Sequence, residues 1–266
     1  MIARKRFGQH FLEPAWVAKV VEAIHPTLND EFVEIGPGRA ALTTPLAASA
    51  KRVVAFEIDR DLAAALRESA PANLTVVEGD FLQSDWLLTH RPSRPIRIAG
   101  NLPYNVASPI LFELIDLFDS GVPIADATLM LQREVADRLL AKPSTKEYGV
   151  LTVLVRLSAD VDRLLTLPPG AFRPMPKVHS ALIRLRFHLP YPAVADRAQF
   201  AAMVTAVFSR RRKTIENALL AFRPGDRRGV ATALTDAGIR ADRRPETLEI
   251  AEFARLSDAL LSDGKL

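Results

Sequence analysis

A short apolar run that breaks into a glycine turn constrains the fold of this chain more than any other stretch. Residues 32–35 are followed by Gly36, Pro37 and Gly38, and then by a helical pattern. Glycines let the backbone turn sharply and approach a ligand closely, and the free N–H groups of the next helix point at that ligand. The stretch therefore predicts the first strand, turn and helix of a doubly wound α/β sheet that binds a nucleoside-containing cofactor.

Acidic residues follow at positions where such a sheet meets its ligand. A second apolar strand, residues 52–56, ends at Glu57, which lies 19 positions beyond Gly38 and is suited to accept hydrogen bonds from two ribose hydroxyls. After a third strand, residues 74–77, Asp80 is placed to accept from an adenine amine. Glu34 precedes the glycine turn, so its carboxylate is expected near the amino group or a cationic sulfonium of the cofactor.

Two cofactors fit this pattern, a nicotinamide dinucleotide and S-adenosylmethionine. The turn lacks the third glycine of the dinucleotide fingerprint, and a dinucleotide enzyme has no general need for a second acid such as Asp80. Both features favour S-adenosylmethionine. A nicotinamide dehydrogenase stays open as the weaker alternative, because no hydride-transfer constellation is visible in the chain.

The segment that follows the fourth apolar run, residues 96–99, suits the grip of an amino-bearing ring. Asn101 offers a carbonyl acceptor, and Pro103 restricts the backbone so that the carbonyl of Leu102 can point the same way. Tyr104 offers a face for stacking. Two acceptors that hold the hydrogens of an adenine amine would favour its pyramidal, nucleophilic form. The alternative is a polar turn that only closes the strand.

Composition limits the remaining choices. The 266 residues are 48% hydrophobic, enough for a large domain and a smaller one. The absence of cysteine excludes disulfides, thiolate metal sites and cysteine nucleophiles. No signal peptide or membrane span is visible, so we expect a soluble, cytoplasmic protein. No metal is expected, because the histidines lack ligand spacing: His10, His25, His90, His179 and His188.

The pattern becomes wholly helical after residue 190. Predicted helices cover residues 198–209, 214–220, 228–237 and 249–261. From Tyr191 onward there are 13 Lys and Arg against 10 Asp and Glu, so most of the net charge of +4 lies here. We predict a catalytic domain at 1–190, with an N-terminal arm at 1–12, and a helical RNA-binding domain at 191–266. The densest basic run is expected to contact phosphates, or else to be a solvated face: Arg210, Arg211, Arg212 and Lys213.

The end of the catalytic domain resembles a strand pair. Residues 161–167 and 180–187 alternate like two strands joined by the loop 168–179. Within that loop, Phe172 is predicted to lie opposite Tyr104 and to clamp a flipped adenine, and Lys177 to contact RNA. The alternative is that Phe172 fills the core of the hairpin. Before this pair, residues 127–131 predict a strand, residues 132–141 a helix, and residues 149–157 a buried helix whose β-branched content also allows a strand.

Taken together, the motifs resemble the ribosomal RNA adenine dimethyltransferases. The resemblance implies an α/β, Rossmann-like class I S-adenosylmethionine-dependent methyltransferase sheet with a terminal antiparallel hairpin, plus a small all-helical C-terminal domain. The matching stretches are residues 7–12, Glu34-Ile35-Gly36-Pro37-Gly38, Glu57-Ile58-Asp59, Gly79-Asp80, Gly100-Asn101-Leu102-Pro103-Tyr104, residues 131–136, Tyr148-Gly149, residues 172–180 and residues 210–214.

The same resemblance implies roles for individual residues. It assigns cofactor contacts to His10, Leu12, Gly36, Glu57, Asp80 and Asn101, and we add Glu34 and Gly38 from the local pattern. The usual residue at position 10 of the family is asparagine, so His10 is a departure. Catalytic roles fall on Asn101, Leu102, Pro103, Tyr104 and Phe172.

The implied function is dimethylation of two adjacent adenosines near the 3′ end of 16S rRNA in the immature 30S subunit, by a monomer. One alternative is a large-subunit rRNA methyltransferase of the antibiotic-resistance type, which shares the Asn-Leu-Pro-Tyr loop. Another, from a different class, is a small-subunit assembly factor for which methylation is secondary.

Overall fold

The structure, a computed structural model, describes residues 10–262, without the side chain of residue 262. The predicted arm therefore falls outside the described residues up to position 9. The strands are β1 (Phe11–Leu12), β2 (Glu31–Ile35), β3 (Arg52–Glu57), β4 (Leu74–Glu78), β5 (Ile96–Asn101), β6 (Ile124–Gln132), β7 (Ala159–Leu167), β8 (Phe172–Arg173) and β9 (Ser180–Phe187).

The α-helices are α1 (Pro14–Ile24), α2 (Thr43–Ser49), α3 (Arg60–Glu68), α4 (Trp86–Thr89), α5 (Ala107–Asp119), α6 (Arg133–Leu139), α7 (Val150–Arg156), α8 (Arg197–Ser209), α9 (Ile215–Leu219), α10 (Arg227–Asp236) and α11 (Ile250–Ser262). Across residues 10–262, no helix combines the length and the apolar character that a bilayer crossing requires.

Seven strands form one sheet in the order β4-β3-β2-β5-β6-β9-β7. The pairs among the first five are parallel, and β9 is antiparallel to β6. This confirms the predicted α/β sheet, in which β9 is reversed and has β7 as its neighbour at the edge. In the register, Ile35 pairs with Phe56 on one side and with Gly100 on the other. The carboxyl ends of β2, β3 and β5 therefore meet, which is where a doubly wound sheet binds its ligand.

A second, two-stranded sheet was not anticipated. β1 pairs antiparallel with β8, with Leu12 opposite Phe172. Both side chains are buried in one apolar cluster with parts of α1, β2 and β9. This pairing holds the start of the described chain against a loop that lies some 160 positions later.

The chain divides into two compact units. The first contains residues up to Ala136 and Asp160–Phe187, and the second contains Asp137–Ala159 and the chain from His188 onward. The predicted domain boundary after residue 190 differs from this division, because it leaves the inserted segment 137–159 in the catalytic domain. The reason for the difference is packing: Tyr148 is 1% exposed, donates its hydroxyl to the Leu248 carbonyl at 2.8 Å, and belongs to the helical core. Residues 150–156 are helical, so the strand alternative for this stretch is wrong.

Candidate active site

A cleft opens at the carboxyl edge of the sheet, above β2, β3 and β5. The space inside it, open solvent at the mouth included, is about 760 Å³. It contains most of the residues that the sequence assigned to a cofactor. The lining residues are His10, Phe11, Leu12, Glu34, Gly36, Pro37, Gly38, Arg39, Ala41, Leu42, Glu57, Ile58, Asn101, Leu102, Pro103 and Tyr104.

The glycine turn after β2 has the backbone conformation that its residue types require. Gly36 and Gly38 have φ values of 71° and 57°, in the left-handed region that side chains disfavour. A Cβ atom on Gly38 would also lie 3.2 Å from the Phe11 ring. Because Gly38 has no side chain, Phe11 of β1 can pack directly against the turn.

Glu57, at the end of β3, is buried, and both of its carboxylate oxygens accept hydrogen bonds from the backbone. One carboxylate oxygen accepts the Gly38 N–H at 2.9 Å, and the other accepts the Asp59 N–H at 2.8 Å. Burial raises the pKa of Glu57, and these two hydrogen bonds oppose that rise. Each oxygen keeps a second lone pair, so the group can still accept from a diol in the cleft.

Glu34, on the central strand β2, is equally buried but receives no backbone hydrogen bond from any residue in the range 10–262. It is 2% exposed, and its Oε2 atom lies buried without a donor. Burial raises the pKa of Glu34 to about 7; the neighbouring Thr43 hydroxyl lowers it and the charge of Glu57 raises it further. The Thr43 hydroxyl makes no hydrogen bond of normal geometry to the described residues. Glu34 thus lines the cleft with a carboxyl group in which one oxygen has no donor among the described residues.

Asn101 is positioned by its own amide. Its Nδ2 atom donates to the His10 carbonyl at 2.8 Å, and because a carbonyl only accepts, this bond fixes which way the amide points. The Oδ1 atom then remains an acceptor, with no donor among the described residues. Gly100, the residue before Asn101, lets β5 lie close to β2. A Cβ atom at this position would be 2.7 Å from the Ile35 carbonyl oxygen of β2.

One face of the Tyr104 ring is covered by another side chain. The His10 ring stacks on it with centroids 5.4 Å apart and planes at 27°. The His10 Nδ1 atom lies 2.7 Å from the Pro174 carbonyl, so this nitrogen carries the proton. The Tyr104 hydroxyl is hydrogen-bonded to the Ser180 hydroxyl at 3.2 Å. The ring that accompanies Tyr104 is therefore His10.

The expected position of Phe172 opposite Tyr104 is contradicted by the structure. Phe172 is 1% exposed, does not line the cleft, and packs with Leu12, Ala171 and Leu182 in the apolar core. Pairing of β8 with β1 directs this ring inward. The core role that the sequence left as the alternative is the observed one.

Asp80 is also outside the cleft lining. Its Oδ1 atom accepts the Leu82 N–H at 3.0 Å and caps the short 3₁₀ helix Phe81–Gln83. It follows β4, the strand beside β3, so it lies at the same edge of the sheet as Glu57. Its second carboxylate oxygen remains available for an adenine amine, which stays a proposal.

Sequence reasoning missed six residues that line the cleft, among them Phe11, Arg39 and Ile58. The Arg39 guanidinium lies 4.2 Å from the Phe11 ring centroid. Ile58 is 50% exposed although it is apolar, and it follows Glu57 directly. An isoleucine exposed beside a ribose-binding acid is suited to cover an aromatic base. In the sequence, the motif Glu57-Ile58-Asp59 marks this isoleucine, although only Glu57 of the motif is assigned to the cofactor there.

The basic run lies in the second unit. Arg210, Arg212 and Lys213 are exposed, with no side-chain partner among the described residues. Arg211 differs: it forms an ion pair with Glu246 at 2.6 Å and donates to the carbonyls of Thr145 and Lys146 at 3.0 and 2.7 Å. These contacts give Arg211 a structural role, and its RNA contact stays a prediction. In the first unit, Lys177 is exposed.

Comparison with known proteins decides the family. A family model described as ribosomal RNA adenine dimethylase matches residues 2–261. The chain belongs to the ribosomal RNA adenine dimethylase family. It is 43% identical over 263 residues to the ribosomal RNA small subunit methyltransferase A of Acinetobacter baylyi, with 97% of this chain and 93% of that protein covered. The same-named protein of Bordetella avium is 42% identical over 268 residues, with coverages of 98% and 97%.

Solved structures agree with the family in fold. A dimethyladenosine transferase from Plasmodium falciparum superposes with a TM-score of 0.80 at 24% identity, covering 96% of this chain and 98% of that one. The 23S rRNA methyltransferase ErmE gives a TM-score of 0.68 at 30% identity, with coverages of 94% and 99%.

As a member of this dimethylase family, the protein is an rRNA adenine methyltransferase that uses S-adenosylmethionine. The cleft fits that cofactor: it offers a held carboxylate for a ribose, an exposed isoleucine for a base, and a buried carboxyl group without a partner for a cation. Among residues 10–262, no cluster of three or more His, Asp or Glu is arranged to hold a metal ion.

Proposed function

We propose that this member of the dimethylase family dimethylates the exocyclic amine of each of two adjacent adenosines near the 3′ end of 16S rRNA, in the immature 30S subunit. We propose further that it acts as a monomer in the cytoplasm. The small subunit is named in the curated relatives at 41–43% identity. The structural observation that carries the chemistry is the free Oδ1 of Asn101, whose orientation is fixed by the bond to His10.

The chemistry divides between cofactor and chain. S-adenosylmethionine, when bound, supplies a methyl group already activated by its positive sulfur. The chain has to align the amine with that methyl group, and a near-attack geometry can account for a large part of the rate. Asn101 Oδ1 and the Leu102 carbonyl accept the two amine hydrogens, and Pro103 holds the loop that carries them. The proton leaves to water after transfer, because the amine becomes acidic as it gains the methyl group.

Tyr104 acts through its ring and not as a base. Burial raises the pKa of its hydroxyl, which stays protonated and bonded to Ser180. The flat face of the ring is then a stacking platform for a flipped base, a contact worth roughly 1–3 kcal/mol. His10 covers one face, so the adenine either uses the other face or displaces the histidine ring.

For RNA affinity, we propose phosphate contacts from Arg210, Arg212 and Lys213 in the helical unit and from Lys177 in the catalytic unit. All four side chains are exposed. Contacts of this kind position an RNA backbone without reading its sequence.

A large-subunit substrate is the competing proposal, since ErmE, a 23S rRNA methyltransferase, is 30% identical over nearly the whole chain. The test is transfer of labelled methyl groups from S-adenosylmethionine to unmethylated small subunits and, in parallel, to large-subunit RNA, with nucleoside analysis of both. We expect dimethyladenosine on the small subunit alone. Label on the large-subunit RNA alone would overturn the proposal in favour of the resistance-type reaction, and cofactor binding without any transfer would favour an assembly factor.

A further inference from the structure

Alignment of the amine does not explain the Glu34 carboxyl group, which lines the same cleft. It is 2% exposed, its Oε2 atom is sealed from solvent, and no residue in the range 10–262 donates to it. A buried carboxylate without hydrogen bonds or a cation is costly, so a group in this position is expected to be neutral when the cleft holds only water.

The charged groups around Glu34 do not relieve this cost. β3 contributes Glu57, whose negative charge disfavours ionisation of Glu34. β5 contributes the neutral Asn101. The two cationic candidates of the cleft are directed elsewhere: Arg39 lies over the Phe11 ring, and the His10 ring stacks on Tyr104. α2 contributes only the Thr43 hydroxyl.

The position of Glu34 in the sheet identifies what it faces. It lies on β2, between β3, which ends in Glu57, and β5, which ends in Asn101. Its register partners on both sides are small, Ala55 and Ala99. In the proposed function, on which this inference rests, Glu57 holds the ribose and Asn101 holds the amine that receives the methyl group. The sulfur atom joins the ribose to that methyl group, so a bound donor would bring its positive charge between these two ends, where β2 carries Glu34.

We propose that Glu34 carries a proton in the ligand-free enzyme and releases it to solvent when the positively charged methyl donor binds, so that the enzyme prefers the donor to its product. The O–H bond of Glu34 breaks, the proton goes to the buffer, and the sulfonium supplies the charge that the carboxylate needs. S-adenosylhomocysteine has a neutral thioether, so Glu34 keeps its proton in the product complex. The product then binds without this attraction and leaves more readily.

Titration calorimetry of the whole protein at pH 6.5, in buffers of different ionisation enthalpy, counts the protons released on binding. With a pKa of about 7, roughly three-quarters of the free enzyme carries the Glu34 proton at this pH. We expect the wild type to release about 0.7 proton per S-adenosylmethionine more than Glu34→Gln does. The ligand's own amino group contributes equally to both variants and cancels. With S-adenosylhomocysteine, we expect the two variants to release the same number.

The dissociation constants give a second readout. Relative to Glu34→Gln, the wild-type affinity for S-adenosylmethionine should rise about tenfold from pH 6 to pH 8, and its affinity for the product should stay constant. Glu31→Gln is the matched control, because Glu31 begins the same strand, lies outside this cleft and pairs with Lys51 at 2.8 Å. This variant should release protons like the wild type.

Equal proton release by wild type and Glu34→Gln, or an equal difference with donor and product, would overturn the inference while leaving the proposed function intact. Failure of the wild type to bind the donor at all would overturn both. If Glu34→Gln does not fold, infrared difference spectra of the wild type decide the matter. A protonated-carboxyl band should disappear on addition of the donor and persist with the product; persistence in both cases would overturn the inference.

Discussion

Glu57 ends β3 and Glu34 lies on the adjacent β2, and both carboxyl groups are almost completely buried in one cleft. Glu57 receives two backbone N–H groups, from Gly38 and Asp59, whereas Glu34 receives none from residues 10–262. Burial raises the pKa of both, but only Glu57 has backbone hydrogen bonds that oppose the effect, whereas Glu34 has the Thr43 hydroxyl alone. The two acids are equally buried but differ in their backbone surroundings. Glu57 has N–H donors that stabilise its charge before a ligand binds, whereas Glu34 depends on the ligand for that stabilisation.

The largest expected effect concerns stability without cofactor. Because the pKa of Glu34 is raised from 4.5 to about 7, the folded state holds its proton more tightly than the unfolded state does. The stabilisation is complete below pH 4.5 and is lost as the pH rises to 7, a total of about 3 kcal/mol. In Glu34→Gln this loss should be missing. Urea unfolding of both proteins between pH 5 and pH 8 measures the difference between the two slopes.

The stability of Glu57→Gln should differ from that of Glu34→Gln. One of its two backbone donors would face an NH₂ group, so we expect a free energy of unfolding lower by roughly 1–3 kcal/mol at pH 8. Glu34→Gln should show no such loss beyond the cost of burying its amide. If both variants changed stability in the same direction and by the same amount, the proposed difference between the two acids would be wrong.

A second expectation concerns Asn101, the other open acceptor of the cleft. Asn101→Ala should lower the methylation rate at least a hundredfold, or about 2.7 kcal/mol in the barrier, with little effect on cofactor affinity. Single-turnover methyl transfer and calorimetric binding separate the two effects. Asn105→Ala, at an exposed neighbouring amide, is the control and should transfer at the wild-type rate. Unchanged turnover in Asn101→Ala would remove its assigned role.

A third expectation separates the two aromatic rings. Tyr104→Leu should lower the methylation rate by the contribution of one base stack, roughly 1–3 kcal/mol or about five- to 150-fold, while the free energy of unfolding changes little. Phe172→Leu should do the reverse and destabilise the protein by roughly 1 kcal/mol with near-normal transfer, because its ring is in the core. A large loss of transfer in stably folded Phe172→Leu would restore the clamp that the sequence predicted.

The smallest expected effect concerns RNA affinity. Replacing Arg210 and Arg212 by alanine should weaken binding several-fold and reduce the slope of log K against log salt by roughly one to two. Filter binding at several salt concentrations measures this. Arg211→Ala should leave the slope unchanged and instead lower stability, because it removes the ion pair with Glu246 and two bonds to carbonyls. Identical salt slopes for all three proteins would show that the run does not contact phosphate.

Local patterns along the chain determined the fold and much of the cleft. The predicted helices 198–209 and 228–237 begin within one residue of the observed α8 and α10, because capping residues and apolar spacing act over a few positions. Gly36, Glu57 and Asn101 were found for a similar reason. Each follows an apolar strand, and parallel strands bring their carboxyl ends to one edge.

Tertiary structure alone decided the rest. Pairing of β1 with β8 moved Phe172 into the core, and it brought His10 to the Pro174 carbonyl across 164 positions. The backbone N–H groups that hold Glu57, and the lack of any for Glu34 among the described residues, depend on the path of a turn and not on the acids themselves. Sequence spacing predicts which side chains reach the cleft. Contacts between distant segments determine which of these side chains have their hydrogen-bond partners supplied by the protein itself.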